Sequence, residues 1–324
     1  MSRSYQVVGI GNAIVDVLAH ADDGFLGRMG IEKGIMQLVE RGRAESLFGE
    51  MDDRVQAPGG SVANTIAGIG ALGLRTAFMG RVHDDELGRF YARAMAEDGT
   101  DFVNPPVPDG ELPTSRCMIF VSPDGERSMN TYLGISAELG PDDVPGDVTA
   151  DLLFLEGYLF DKDKGKAAFL RAAETCRAAG GKAGITLSDP FCVDRHRADF
   201  RELIAGPMDY VIGNEAEWTA LYETDDLEAA LAQAAEACGL VVCTRSGDPV
   251  ILLAGGERVE VPVHTVTPVD ATGAGDQFAA GFLYGLATGR DLETCGKLGV
   301  VSAAEVIGHM GPRPEADMKV MYEA

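Results

Sequence analysis

Short apolar segments in the second half of the chain alternate with longer segments of helical character, and this alternation constrains the fold most strongly. The apolar segments are residues 152–156, 183–188, 210–213 and 240–244, and the predicted helices lie near 164–179, 195–205, 214–222 and 227–238. Strands that alternate with helices favour a mostly parallel sheet that is covered by helices on both faces. The sequence therefore predicts an α/β fold whose ligands bind beyond the carboxyl ends of the strands.

Residues 270–276 (DATGAGD) place two glycines and two aspartates between an extended segment and a helix. Gly273 and Gly275 allow a sharp turn, which brings backbone N–H groups, including that of Ala274, close to a ligand above the helix start. These groups and the helix dipole favour an anion. Asp276 falls in the first turn, where its carboxylate stays charged and can accept a proton from an alcohol. A capped helix with a glycine turn is the simpler interpretation, but it leaves the combination unexplained.

Length and charge limit the class of protein. The chain has 324 residues, of which 46% are hydrophobic, so it can form one large α/β domain with or without a small appendage. Its 27 basic and 51 acidic residues give a net charge of −24. Such a surface repels nucleic acid and anionic membranes, and no apolar run is long enough to span a bilayer. We therefore expect a small-molecule substrate and no nucleic-acid or membrane partner, and we leave monomer and homodimer open.

The cysteines indicate a reducing compartment. None forms a Cys-x-x-Cys pair, and none lies at zinc-ligand spacing from a histidine, among Cys117, Cys176, Cys192, Cys238, Cys243 and Cys295. We interpret them as reduced thiols and expect a cytoplasmic enzyme. Residues 7–18 resemble a signal peptide only loosely, because Asn12 and Asp16 interrupt them, and they fit a strand–turn–strand better.

Two segments in the first quarter of the chain suggest ligand contacts. Asp16 lies among valines in a predicted strand, where it either faces water from a sheet edge or accepts hydroxyl hydrogen bonds in a cleft. Gly59 and Gly60 allow a backbone to approach a ligand closely. Ser61 is a candidate cap for the helix that follows, and Asn64 lies one turn inside it.

Residues 68–73 match the Gly-x-Gly-x-x-Gly pattern of dinucleotide-binding proteins. In those proteins the glycines leave a strand and open a helix. Here they close a helix, with Gly73 as its C-cap, so the sequence argues against a dehydrogenase.

A predicted hairpin, formed by residues 114–121 and 127–133, lies outside the alternating pattern. With the strands around Asp16 and Gln37 it is expected to form a small sheet that projects from the main domain.

Two motifs follow predicted strands of the main sheet. Asn214 and Glu217 share one helix face and suit a hydrated Mg²⁺, although an ordinary capped helix start would look the same. Thr244, Ser246 and Gly247 form a hydroxyl-and-glycine turn, which suits nucleotide phosphates.

These motifs together resemble the ribokinase-like (PfkB) carbohydrate kinases. The family pattern Asp-x-Thr-Gly-Ala-Gly-Asp is complete at residues 270–276, and residues 58–64 and 214–217 resemble two further signatures. The resemblance implies one ribokinase-like domain over residues 1–324, with a β-sheet lid formed by segments of about 13–40 and 112–134. A lid would exclude water, which competes with an alcohol for a phosphoryl group. It also implies transfer of the ATP γ-phosphate to a primary hydroxyl, with Asp276 as general base and the backbone of residues 273–275 beside the transferred group.

The same resemblance implies roles for other residues. The substrate hydroxyls would be bound by Asn12, Asp16, Gly59, Gly60 and Asn64. Mg²⁺ would be held through water by Glu217, and the nucleotide by Asn214, Glu217, Thr244, Ser246 and Gly247, although Ser246 stands where the family often has glycine. Backbone carbonyls of Asp270 and Thr272 would bind a monovalent cation such as K⁺, beside a loop at residues 306–311.

Several stretches look closer to the adenosine kinase-like branch, namely residues 11–16, 125–128 and 186–191. In that branch an arginine like Arg127 approaches the phosphates, although a surface arginine is equally expected in a hairpin. A slot for a base would be formed by Met36, Leu38, Cys117, Tyr158 and Phe191. Because Met36 stands where some adenosine kinases have glutamine, a sugar kinase of the ribokinase or fructokinase type is the alternative. A second alternative is a ligand-binding regulator that has lost catalysis, and the intact Asp276 argues against it.

Overall fold

Two β-sheets organise the computed structural model, which describes residues 3–323. In this range the strands are β1 (Arg3–Ile10), β2 (Ile14–His20), β3 (Met36–Leu38), β4 (Val55–Gly59), β5 (Thr76–Met79), β6 (Thr100–Phe102), β7 (Ser115–Val121), β8 (Arg127–Tyr132), β9 (Val148–Glu156), β10 (Lys182–Thr186), β11 (Tyr210–Asn214), β12 (Leu240–Arg245), β13 (Asp248–Ala254) and β14 (Glu257–Val261).

The α-helices cover these sheets. They are α1 (Asp23–Met29), α2 (Arg41–Gly49), α3 (Ser61–Ala71), α4 (Glu86–Glu97), α5 (Asp163–Ala178), α6 (Pro190–Ala205), α7 (Glu215–Tyr222), α8 (Leu227–Ala237), α9 (Ala274–Ala287), α10 (Leu292–Val306) and α11 (Met318–Glu323). Within the described range, none of these helices has the length and apolar character needed to cross a membrane.

The central sheet has nine strands in the order β14-β13-β12-β11-β10-β9-β1-β5-β6. The strands from β12 to β6 pair in parallel, and β13 and β14 add an antiparallel edge. This arrangement confirms the predicted α/β fold with a mostly parallel central sheet. Strands β13 and β14 were not predicted from the sequence.

Each face of the central sheet contributes to a separate core. In β9, Leu153 and Leu155 belong to one core, whereas Leu152 and Phe154 belong to the other. Successive side chains of a strand point to opposite faces, so a strand with helices on both sides is apolar throughout. This explains why the parallel strands appear in the sequence as continuous apolar runs.

The second sheet has five strands in the order β3-β8-β7-β2-β4. Helices α1 and α2 pack on one face, where the ring centroids of Phe25 and Phe120 are 5.3 Å apart. The other face carries Ile14, Asp16 and Cys117 toward the main domain. Four strands fall within the expected segments 13–40 and 112–134, and β4 lies outside them.

Candidate active site

A cavity of about 610 Å³ lies between the small sheet and the carboxyl ends of the central strands. Its wall contains residues at or just beyond five strand ends: Asn12, Glu156, Thr186, Asn214 and Thr244. This is the position in which an α/β sheet binds its ligands. Of the predicted site residues, the cavity is lined by Asn12, Asp16, Met36, Leu38, Gly60, Asn64, Cys117, Tyr158, Phe191, Asn214, Glu217, Thr244, Thr272, Gly273, Ala274, Gly275 and Asp276.

Five predicted residues lie outside the cavity wall, namely Gly59, Arg127, Ser246, Gly247 and Asp270. Gly59 is buried and packs directly against Asp16. A Cβ atom built on Gly59 would lie 2.4 Å from Asp16 Oδ2. Gly60 has a φ of 98°, and its missing side chain leaves room for the carbonyl oxygen of Asn12. The two glycines therefore let Asn12 and Asp16 approach the start of α3 closely.

Asp276 lies in the first turn of α9. Gly273 caps this helix with a φ of 80°, and a Cβ atom on it would lie 2.6 Å from Pro312 Cα. Only glycine fits both the left-handed conformation and this contact. The N–H of Ala274 donates to the carbonyl oxygen of Ala271 at 3.2 Å, so the N–H groups that the helix start offers to an anion beside the cavity are those of Gly275 and Asp276.

Two side chains of α3 hold the Asp276 carboxylate. The Ser61 hydroxyl donates to Oδ1 at 2.7 Å, and Asn64 Nδ2 donates to Oδ2 at 3.0 Å. The expectation that Ser61 caps its own helix is wrong, since the N-cap is Gly60 and no side-chain cap bond is formed. The hydroxyl is used instead to position an acid that is 215 residues away in the sequence.

The surroundings of Asp276 raise the pKa of its carboxyl group toward neutral pH. Burial raises the pKa of Asp276 to about 6, while its bonds to Ser61 and Asn64 and the charge of Arg313 act in the opposite direction. A carboxylate with a pKa near 6 is ionised at neutral pH and is a stronger base than an exposed aspartate. It can therefore accept a proton from a hydroxyl group.

Asp16 faces the same cavity from the small sheet. Strand β2 lies between β7 and β4, so Asp16 is not an edge residue that faces water. Burial raises the pKa of Asp16 to about 7, the charges of Arg313 and Arg127 lower it, and Asp276 raises it. Such a carboxylate needs hydrogen-bond donors, which substrate hydroxyls can supply.

Glu156 is a third carboxylate in this cavity, and the sequence analysis missed it. Its Oε1 accepts from the backbone N and the Nδ2 of Asn12 at 3.1 and 2.8 Å, and Oε2 accepts from the N of Val62 at 3.1 Å. Burial raises the pKa of Glu156 to about 7. The Asn12 oxygen Oδ1 accepts from Ser136 at 2.9 Å, so the Asn12 amide is already engaged on both sides. The sequence signal that could have identified Glu156 is its position at the end of an apolar strand.

The cavity wall also contains apolar side chains that are exposed. Phe191 is 75% exposed at the start of α6, and Leu38 and Met36 of β3 are 53% and 43% exposed. Cys117 and Tyr158 line the cavity with them. Asp161 and Arg195, which the sequence analysis did not single out, also line the cavity, and Arg195 forms a salt bridge of 3.1 Å to Asp161.

Asn214 and Glu217 form a capping box at the start of α7. Glu217 accepts from the N and Nδ2 of Asn214 at 2.8 and 2.7 Å, and its own N donates back to Asn214 at 2.9 Å. Burial raises the pKa of Glu217 to about 7. No three His, Cys, Asp or Glu side chains gather as a metal site in residues 3–323. A metal ion held here would take most ligands from water and phosphate oxygens, as Mg²⁺ does.

Thr244 borders the cavity, whereas Ser246 and Gly247 lie in the exposed turn between β12 and β13. Ser246 has a φ of 53°, which glycine adopts more easily. This conformation agrees with the glycine that the family often has at the position.

Arg127 joins the small sheet to the segment before α9. Its Nη2 lies 2.8 Å from Asp270 Oδ2, and the two side chains are only 9% and 7% exposed. Asp270 Oδ1 accepts from the N and hydroxyl of Thr272 at 3.0 and 2.7 Å, and Oδ2 accepts from the N of Gly311 at 2.9 Å. The structure therefore brings the loop of residues 306–311 beside Asp270, as the sequence analysis expected.

Residues 35–318 match the profile described as pfkB family carbohydrate kinase. The chain belongs to the pfkB family. Kinases of this family are ATP-dependent phosphotransferases with sugar or nucleoside acceptors, and this kinase is therefore an enzyme of that class. The family also implies ATP and, typically, Mg²⁺.

Relatives of this pfkB kinase include both acceptor types. It is 46% identical to the adenosine kinase from Sinorhizobium meliloti, with a TM-score of 0.90 and 98% of each chain covered. It is 42% identical to a probable sugar kinase from Rhizobium etli, with a TM-score of 0.90, over 100% of this chain and 98% of the other. A fructokinase from Klebsiella pneumoniae is 29% identical over 240 residues, which are 72% of this chain and 78% of the fructokinase.

The small sheet of this pfkB kinase is expected to open and close. An arginine–aspartate pair this buried loses its stabilising effect when either partner is removed. Backbone amides of β7 and β8 should therefore exchange faster in Arg127→Gln than in the wild type, and more slowly in the wild type when acceptor is added. Hydrogen exchange with mass spectrometry measures both effects, with α5 as an internal reference. Exchange in β7 and β8 that responds to neither change would contradict a mobile lid.

Proposed function

We propose that this kinase transfers the γ-phosphate of ATP to the primary hydroxyl of a purine nucleoside, with Asp276 as the general base. One observation carries the proposal. A single cavity is lined both by two carboxylates that can accept hydrogen bonds from hydroxyl groups, Asp16 and Asp276, and by three exposed apolar side chains, Met36, Leu38 and Phe191. A nucleoside has hydroxyls at one end and a flat apolar base at the other, whereas a free sugar needs polar contacts around the whole ring.

The proton step follows from the position of Asp276. The acceptor hydroxyl loses its proton to the Asp276 carboxylate while its oxygen bonds to the γ-phosphorus and the bond to the β-phosphate oxygen breaks. ADP leaves with the electrons of that bond. Ser61 and Asn64 hold the carboxylate in one orientation, which supplies part of the rate through positioning.

The backbone at the start of α9 would receive the charge of the transferred group. The N–H groups of Gly275 and Asp276 lie in the first turn, where a helix has free donors, and that of Ala274 would have to leave the carbonyl oxygen of Ala271 to join them. Mg²⁺, when bound, neutralises phosphate charge, and Glu217 with its partner Asn214 would hold it through water. Carbonyls of Asp270 and Thr272 are the proposed ligands of a monovalent cation.

Two relatives of this kinase support a nucleoside acceptor. The relative at 46% identity is an adenosine kinase, and an adenosine kinase from Arabidopsis thaliana is 27% identical over 94% of both chains. Fructokinases are also among the relatives.

The experiment that tests the proposal is an acceptor panel. Adenosine, other nucleosides, ribose and fructose are incubated with ATP and Mg²⁺, and kcat/KM is measured for each by ADP release. We expect the highest value for adenosine or a related purine nucleoside. A higher value for fructose or ribose would contradict the nucleoside acceptor and favour a sugar kinase.

Phe191→Ala tests the base slot directly. Ring stacking contributes roughly 0.5–1.5 kcal/mol beyond area burial, so KM for the nucleoside should rise about threefold to tenfold. Use of any sugar should change little. Leu170→Ala is the matched control, because Leu170 is an exposed apolar residue of α5 outside the cavity. Equal losses with nucleoside and sugar would show that Phe191 does not contact a base.

A further inference from the structure

Arg313 lies outside every motif of the sequence analysis, yet it contacts the residues around Asp276. It follows α10 in a loop and ion-pairs with Asp98, just beyond the end of α4. Its Nε donates to Asn64 Oδ1 at 3.3 Å, and Nη2 lies 3.6 Å from the sulfur of Met95. The side chain is 18% exposed, so its charge acts in a poorly screened environment.

The bond from Arg313 fixes the orientation of the Asn64 amide. An amide has one accepting and one donating end, whereas a guanidinium only donates and a carboxylate only accepts. Because Arg313 takes the oxygen of Asn64, the Nδ2 group faces Asp276, to which it donates at 3.0 Å. The reverse orientation would place two donors together and an oxygen against the carboxylate.

The loop that carries Arg313 is held against α3 and α9. Gln277 Nε2 donates to the carbonyl oxygens of Asn64 and Pro312 at 3.1 and 3.0 Å. Pro312 also fills the space left by the missing side chain of Gly273. Helices α3 and α9 and this loop are therefore held together around the Asp276 carboxylate.

We propose that Arg313 is a positioning residue for phosphoryl transfer, which acts by holding the Asn64 amide with its N–H toward Asp276. The proposal rests on the proposed role of Asp276 as base. Arg313 also supplies positive charge beside a cavity that contains the carboxylates of Asp16, Glu156 and Asp276. Arg127 is the other cation that acts on Asp16.

A double-mutant cycle tests the orientation. Arg313→Lys keeps the charge and its attraction to Asp98 but loses the Nε–H group. We expect kcat to fall about tenfold, which corresponds to the loss of the hydrogen bond from Arg313 to Asn64. KM for ATP should stay within about twofold of the wild-type value. In an Asn64→Ala background the same change should have no further effect, because Arg313 acts through Asn64. An equal loss in both backgrounds would overturn the proposal.

The pH dependence of kcat/KM provides a second readout. The charge of Arg313 lowers the pKa of Asp276 and of Asp16. Arg313→Gln should therefore move the acid limb of the profile upward by about one pH unit, so that activity recovers partly as the pH rises. Arg313→Lys should leave the limb in place. A loss in Arg313→Gln that is the same at every pH would indicate a merely structural role and contradict the proposal.

Two controls separate the possible failures. Arg89→Gln removes an exposed arginine of α4 that pairs with Asp84, and it should change neither readout. Thermal unfolding establishes that each variant is folded, and if Arg313→Gln is not, the cycle with Arg313→Lys decides. Activity that survives in Asp276→Asn would refute the base assignment itself, whereas an inactive Asp276→Asn with an additive cycle would refute only the role of Arg313.

Discussion

Asp276→Asn is expected to lower kcat by about 10²- to 10⁴-fold, the usual cost of removing a general base. The amide keeps the size of the carboxylate but cannot accept the acceptor's proton. Nucleotide affinity should stay within a few-fold, because the proposed anion site beside Asp276 consists mostly of backbone N–H groups at the start of α9. Steady-state kinetics and a nucleotide titration measure the two quantities separately.

The wild-type rate should also depend on pH in a predictable direction. The pKa of Asp276 is raised to about 6, and only the ionised form can act as base. The rate should therefore fall as the pH decreases through about 6. Glu293→Gln is the matched control, since Glu293 is an exposed acid in the first turn of α10, and it should alter neither rate nor profile.

The same pKa predicts an effect on stability. A carboxyl group whose pKa rises on folding favours the folded state at low pH, and this contribution is lost as the pH rises through the folded-state pKa. At pH 8 the ionised Asp276 is therefore unfavourable for folding. Asp276→Asn should melt at a higher temperature than the wild type at pH 8, and the difference should shrink toward pH 4. Near-normal turnover in a variant that melts as expected would refute the base assignment.

The sequence predicted those parts of the site that local patterns and strand ends determine. Asn214 and Thr244 lie at the carboxyl ends of the parallel strands β11 and β12, so their convergence could be expected from the topology alone. Gly273 was predictable as a turn, but its packing against Pro312 was not, because that contact joins two loops that are far apart in the sequence.

Residues defined by long-range contacts were missed or misassigned. The Ser61 hydroxyl appeared to be a helix cap, since capping preferences describe only the local chain, and a distant carboxylate took its hydrogen bond instead. Arg313 belongs to no sequence motif. Its role depends on contacts with Asn64 and Asp98, which are 249 and 215 residues away in the sequence. Strand β4 contains Pro58 and lies at a sheet edge, where strand patterns are weak.

Asp16→Asn is expected to raise KM for the acceptor by about tenfold to a hundredfold, since a hydrogen bond to a charged group contributes roughly 1.5–3 kcal/mol. The carboxylate lies on an inner strand, faces the cavity, and has its pKa raised to about 7 by burial, so it needs donors from a ligand. KM for ATP should change less than threefold.

Kinetics with each substrate varied in turn measure this difference. Asp124→Asn is the matched control, because it removes an acid from the exposed turn of the same small sheet. If Asp16 binds the acceptor, only Asp16→Asn separates the two KM values. Equal increases for acceptor and ATP, or a lower melting temperature with unchanged KM values, would mean that Asp16 supports the small sheet and does not contact the acceptor.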